Sequence, residues 1–198
     1  MITKQEIWRK VIHLSSLIYP LLYANFLVKS QIITIVSIIS LLLIVTEVLR
    51  KMHFFNKFFC KIFAFTLRSK EMTARLGATY FMSGILLTII LFEKRLAITS
   101  MCVLVVSDTL ASIVGISFGG KFFKQNIFAS LKKSTEGFLA FAISCFCIIN
   151  ITFGELSIIC IALISTLLAL VEVVSQKMKI DDNFSIPLAC ATILYCVI

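Results

Sequence analysis

Residues 107–137 read SDTLASIVGISFGGKFFKQNIFASLKKSTEG. An acid, Asp108, stands inside an apolar run that breaks at Phe118-Gly119-Gly120-Lys121. A basic loop then leads to Lys132-Lys133-Ser134-Thr135-Glu136-Gly137, where the next apolar run opens. Two long apolar runs joined by a cationic loop predict a membrane hairpin with the loop at one bilayer face. The same stretch predicts chemistry. An acid in low dielectric, glycines that let backbone approach a ligand, and lysines ahead of a helix N-terminus suit a metal-bound polyphosphate.

Working outward, the whole chain shares this character. It has 198 residues, of which 60% are hydrophobic, against roughly 45–50% in a soluble domain. A soluble chain this small cannot bury so much apolar surface, so its solvent is lipid. The length predicts a single integral-membrane domain spanning residues 1–198. The formal charge of +9 then reads as topology and headgroup contact. No nucleic-acid partner is expected, because the basic residues lie between apolar spans without a binding motif. Seven cysteines with no CxxC pair, six of them inside apolar runs, read as small buried hydrophobes. The charged Met1–Lys10 segment precedes a run of about 18 residues without a clear cleavage site, so it is expected to be a retained span.

A span needs about 20 apolar residues to cross roughly 30 Å of hydrocarbon. Runs at 11–28, 31–49, 76–92, 96–118, 135–153 and 155–175, with a short one at 185–198, predict an all-α bundle of about seven membrane helices. Connections alternate between short (29–31, 93–95, 154–155) and long (50–75, 119–134, 176–184). Of the 19 Lys and Arg residues, 16 fall at the N-terminus and in the long connections. The other side holds only Lys29, Lys94 and Arg95. The positive-inside rule therefore predicts a cytoplasmic N-terminus and cytoplasmic long loops. Within 50–75, Arg50, Lys57, Lys61 and Arg68 recur on one helical stripe among phenylalanines. This predicts an interfacial amphipathic helix, either a plain anchor or a doorway for a lipid.

Acids inside lipid are costly, about 2.5–3.5 kcal/mol each at a helix centre. Asp108 lies near the middle of the fourth run and is read as a catalytic or metal group, a lysine ion pair being the structural alternative. Glu172, near the end of the sixth run, reads evenly as ligand or structural partner, and Glu47 can snorkel. Asp181-Asp182-Asn183 offers oxygen ligands that suit magnesium shared with phosphates, or a solvated turn. Ser134 is an expected N-cap, with Glu136 at the positive end of the helix dipole. Gly115 through Lys121 has the Walker spacing, but Phe122 stands where a hydroxyl belongs and no strand precedes it, so the match is accidental. Arg9, Lys10 and His13 share one helical face. Lys10 reads as an ordinary flanking charge, His13 as a candidate ligand or phosphate contact, and His53 as a plain interfacial residue.

Five blocks occur in order: Arg9-Lys10-x-x-His13; Glu71 followed by Gly77-Ala78-Thr79-Tyr80-Phe81; Ser107-Asp108-x-x-Ala111-x-x-x-Gly115-x-x-Phe118-Gly119; Lys133-Ser134-x-Glu136-Gly137; and Glu172 with Asp182-Asn183-x-x-Ile186-Pro187. Together they resemble the CTP-dependent lipid kinases, which act on phytol, dolichol, other polyprenols or diacylglycerol. The central block also resembles the phosphatidate cytidylyltransferases of the same superfamily. Their long C-terminal signature is missing from this chain, which favours the kinase; a non-enzymatic transporter or scaffold is the remaining alternative, without internal duplication to support it. The resemblance implies an integral-membrane enzyme that takes CTP and a lipid alcohol at the cytoplasmic face, with Mg2+ as cofactor. Asp108, Lys133 and Glu136 would be catalytic. Asp108, Glu172 and Asp182 would hold metal. Gly115, Gly119, Gly120, Lys121, Lys132, Ser134, Asn183, Arg9 and His13 would hold nucleotide or phosphate.

Overall fold

Apolar runs in lipid must satisfy their own backbone polar groups, and an open chain does so only as helices. The computed structural model describes residues 4–67, 69–72, 75–122, 133–175, 178 and 180–198, with no strand among the described residues. Its helices are α1 (Lys4–Ser15), α2 (Ile18–Asn25), α3 (Lys29–Leu49), α4 (His53–Ile62), α5 (Gly77–Leu91), α6 (Lys94–Cys102), α7 (Asp108–Phe118), α8 (Thr135–Thr152), α9 (Ile158–Ser175) and α10 (Asp182–Val197). A 3-10 turn covers Ser69–Met72, and a π-helical turn at Val103–Ser107 joins α6 to α7 in one stretch. α3, the joined Lys94–Phe118 stretch, α8 and α9 are long and apolar enough to cross a membrane; α5 and α10 are shorter apolar helices. The chain is a polytopic helical membrane protein.

The first apolar run is not one span. It breaks between Ser15 and Ile18. Pro20 has no N–H for the Ser16 carbonyl and its ring crowds that carbonyl, so α1 cannot run on into α2. The chain crosses the break with short-range bonds: Ser16 N–H to His13 O at 3.1 Å, Leu17 N–H to Leu14 O at 3.0 Å, and Tyr19 N–H to Ser16 O at 3.1 Å. The break leaves α1 free to lie against α7 and the π-helical turn.

The core repeats one residue in four. Phe81, Ile85 and Ile89 on α5, Phe141, Cys145 and Ile149 on α8, and Ile186, Cys190 and Leu194 on α10 are all buried in one cluster. That spacing is the i, i+4 ridge by which helices interlock. Around it, Leu41, Leu42, Ile143, Ile151 and Ile159 are exposed, as lipid-facing residues should be. α10 is about 24 Å long at 1.5 Å per residue, short of a full span. It packs against α5, α6 and α9. Pro187 inside α10 leaves the Asn183 carbonyl without its helical donor. Gly84 of α5 lies so close that an added Cβ would stand 2.8 Å from that oxygen and 3.0 Å from Phe184 Cα.

The 50–75 connection also departs from expectation. Helix α4 is amphipathic but only ten residues long, and Arg50 does not join a cationic stripe on it. Arg50 is buried, donates to the Glu71 and Met72 carbonyls and to Asn56 Oδ1, and lies 5.0 Å from the Phe59 ring centre. Arg68, the last residue of that stripe, lies outside the described residues. Glu47 does not snorkel. It accepts from Leu76 N–H and Thr79 Oγ1, both at 2.8 Å, and so caps α5. Beside it, Glu71 Oε1 accepts from Gly77 N–H at 3.1 Å.

Candidate active site

Three helices bring acids to one end of the bundle. Asp108 opens α7, Glu172 lies one turn before the end of α9, and Asp182 opens α10. One carboxylate oxygen from each lies within 4.8 Å of the other two. Only the fold could assemble them, since 64 residues separate the first from the second.

α7 is placed by close contact with α8. Ala111, Gly115 and Gly119 recur every four residues, the small-residue spacing that lets membrane helices approach closely. A Cβ on Gly137 of α8 would stand 2.9 Å from the Ala111 carbonyl, and one on Gly115 would stand 3.0 Å from Ser134 Oγ. Gly115 and Gly119 thus serve the approach of α7 to the start of α8. Phe118–Lys121 has the form of a type II turn: Gly119 at φ −52°, ψ 122°, Gly120 at φ 76°, and Lys121 N–H bonded to Phe118 O at 2.9 Å. The positive φ at Gly120 requires glycine, and nothing lies within 4 Å of where its Cβ would be. Lys121 is exposed, 5.3 Å from the Phe118 ring centre.

The start of α8 is capped as its sequence predicts. Ser134 Oγ accepts from Gly137 N–H at 3.0 Å. Glu136 is buried and accepts from Phe122 N–H at 3.2 Å, tying the turn after α7 to α8. Lys132 lies outside the described residues. Lys133 reaches into the acids, paired with Glu172 and 3.5 Å from Asp182 Oδ2. Burial pulls its ammonium toward neutrality, but Glu172 and Asp182 outweigh that and hold its pKa above the ordinary lysine value.

α1 closes the other side. Lys10 Nζ lies 3.5 Å and His13 Nε2 3.7 Å from Asp108 Oδ2, and the His13 ring meets Phe81 edge-on at 5.2 Å. Lys10 is therefore more than a flanking charge. Its position three residues before His13 was the available signal, hidden because lysines at helix starts usually reach water. Arg9 is half-buried on the same helix. At α10, Asn183 is held by Asp181: its N–H and side-chain amide donate to Asp181 Oδ1 at 3.1 and 2.9 Å. Its amide nitrogen stands 3.8 Å from where a Gly77 Cβ would be, next to Glu71. The Asp181–Asn183 segment is thus a helix cap built into the site.

The site therefore holds three acids, two lysines and a histidine, beside the N-terminal ends of α8 and α10. Both ends present the positive pole of a helix dipole toward an anion. The acids suit a hard cation. Oxygen ligands about 2.1 Å from Mg2+ lie no more than roughly 4.2 Å apart, so a cluster within 4.8 Å needs only small side-chain rotations to hold one.

The chain is 33% identical to the uncharacterized protein RP860 of Rickettsia prowazekii, over 91% of this chain and 89% of that one. It is also similar along its whole length to CTP-dependent diacylglycerol kinase 1 of two fungi. The Eremothecium gossypii protein is 27% identical over 68% of its length, and the Saccharomyces cerevisiae protein 26% identical over 75%. No protein-family signature matches the chain. No solved structure matches it either.

Proposed function

This chain belongs to the family of the Rickettsia prowazekii protein, and we propose that it is a CTP-dependent lipid kinase. The observation that carries the reading is the convergence of Asp108, Glu172 and Asp182 with Lys10 and Lys133, in a chain similar from end to end to two CTP-dependent diacylglycerol kinases. In the reaction a lipid hydroxyl oxygen bonds to the γ-phosphorus of CTP, the bond from that phosphorus to the β–γ bridging oxygen breaks, and CDP leaves. Such a transfer needs positioning and charge neutralisation more than covalent chemistry.

Asp108, Glu172 and Asp182 would hold Mg2+, which when bound supplies charge neutralisation for the triphosphate. The chain's own groups do the rest. Asp108, steadied by Lys10 and His13, orients the lipid hydroxyl and receives its proton. Lys133, Lys121 and Lys132, with the N-terminal end of α8, hold phosphate oxygens, and Gly120 leaves room for backbone approach. Glu136 fixes the turn that carries Lys121. Arg9 and Asn183 flank the nucleotide. The 16-to-3 division of Lys and Arg along the sequence supports a cytoplasmic location for this end, by the positive-inside rule.

The acceptor is a membrane lipid alcohol. Diacylglycerol is the acceptor named for the fungal relatives, and phytol, dolichol and other polyprenols complete the panel to assay. Purified enzyme in detergent, given γ-labelled CTP and this panel, should place label on lipid. Release of the label from CTP as pyrophosphate, with phosphatidate as acceptor, would overturn the reading in favour of cytidylyl transfer.

A further inference from the structure

The site described so far binds charge, yet its acceptor is mostly hydrocarbon. An apolar groove of about 360 Å³ runs between α9 and α10, the two helices that carry Glu172 and Asp182. On α9 it is lined by Leu167, Leu170, Val171 and Val174, one stripe at i, i+3, i+4 and i+7, and Ile193 of α10 faces them. One end is polar. There Ser175 and Ser185, with hydroxyl oxygens 2.7 Å apart, bridge the two helices. Ser175 lies three residues after Glu172, and Ser185 three after Asp182. Residues at that spacing are neighbours on a helix surface, so the polar end of the groove is one turn from the acids on both walls.

From this end the groove extends along the bundle to Leu167 and Ile193, eight residues from Ser175 and Ser185 respectively. That is about 12 Å on each helix. Leu167, Leu170 and Val174 are exposed on the face that meets lipid.

We propose that this groove holds the hydrocarbon tail of the acceptor lipid, with the tail's hydroxyl end delivered past Ser175 and Ser185 to Asp108, Glu172 and Asp182. The inference rests on the kinase reading above and adds the surface that selects the lipid. Both walls of the groove continue toward the acids, Glu172 on α9 and Asp182 on α10. Its lining is apolar except for Ser175 and Ser185, at the end nearest the acids. Its open side admits a lipid laterally, without passage through water. Residues 167, 170, 171, 174 and 193 then set chain preference, while CTP contacts lie elsewhere.

The test uses the full chain in nanodiscs with whichever lipid alcohol it phosphorylates fastest, and an analogue of that alcohol carrying a photoreactive diazirine in its tail. Labelling should concentrate on α9 and α10 between residues 167 and 193, and the unmodified alcohol should compete while phosphatidylcholine does not. Val171→Trp should raise KM for the lipid about tenfold, the loss of one to two methylenes of contact, and leave KM for CTP unchanged. Leu170→Ala, which only removes atoms, should raise it about threefold. Leu41→Trp on lipid-facing α3 should change neither constant. Label spread evenly over α3 and α9, equal competition by phosphatidylcholine, or an unchanged lipid KM in Leu170→Ala would overturn the groove while leaving the kinase reading intact. Failure of the wild-type chain to transfer label to any lipid alcohol would overturn the kinase reading itself.

Discussion

The two ends of the bundle use basic residues for opposite purposes. At the end away from Asp108, Lys29 donates to the Ile90 and Phe92 carbonyls at 3.1 and 2.9 Å, closing the C-terminus of α5. Arg95 does the same for α8 through the Thr152 carbonyl at 2.9 Å, stacks on Phe153 and pairs with exposed Glu155. Lys94 rests over the Tyr23 ring. Here cations serve helix ends, as the dipole favours. At the other end Lys10 and Lys133 serve acids drawn from three helices. A lysine marks a functional site only when carboxylates from separate elements meet it.

If that contrast is right, Asp108→Asn should lower transfer of γ-label from CTP by about a thousandfold, the scale lost when a group acting on the transition state is removed. Full activity in the purified variant would break the distinction between the two ends. Next in size, Lys133→Met should destabilise the fold by about 3 kcal/mol, because buried Glu172 and half-buried Asp182 would lose their cation. Millimolar Mg2+ should restore much of the lost melting temperature in the variant, and little in the wild type. A variant indifferent to Mg2+ would argue against a cation site among the three acids.

The same lysine gives a pH prediction. A pKa raised by folding means its contribution is complete below the unfolded value, about 10.4, and is lost as pH rises through the higher folded value. The stability advantage of wild type over Lys133→Met should therefore be flat at neutral pH and shrink only above about pH 10.4, as thermal melts across pH 7–11.5 would show. Gly84→Ala should cost about 2 kcal/mol, since its Cβ would overlap the Asn183 carbonyl and push α10 with Asp182 away. Activity should fall with stability in this variant, measured by chemical denaturation and label transfer together. Smallest of all, Arg95→Ala should cost under about 1 kcal/mol, as its ion pair is exposed, and leave kcat unchanged. A large loss of kcat there would erase the functional difference between the two ends.

The acids of the site were legible because a carboxylate in an apolar run has few other reasons to be there. Asp108 and Glu172 both stood out this way, and Asp182 followed from lying on the same predicted face. The Ser134 cap was legible from local chemistry alone. Lys10 was hidden by its ordinariness, since a lysine ahead of a span usually reaches for headgroups. Arg50 was misplaced for the opposite reason: a regular spacing of basic residues suggested a stripe, but burial against the Glu71 carbonyl depends on a turn that spacing cannot show. The break at Pro20 followed from proline chemistry, yet hydropathy averaging ran straight across it. Gly115 and Gly119 looked like room for a ligand, and only the position of Ser134 shows what fills the space beside them.

The π-helical turn at Val103–Ser107 holds one more residue than an α-helix would over the same advance. Rewinding the same five residues as ordinary α-helix, with none deleted, would turn Asp108 by about 100° relative to α6, out of phase with α9 and α10. The meeting of Asp108 with Glu172 and Asp182 thus depends on a one-residue phase offset within the Lys94–Phe118 stretch. A chain lacking that offset would keep its hydropathy and its span count, insert normally, and present its acid to the wrong neighbour.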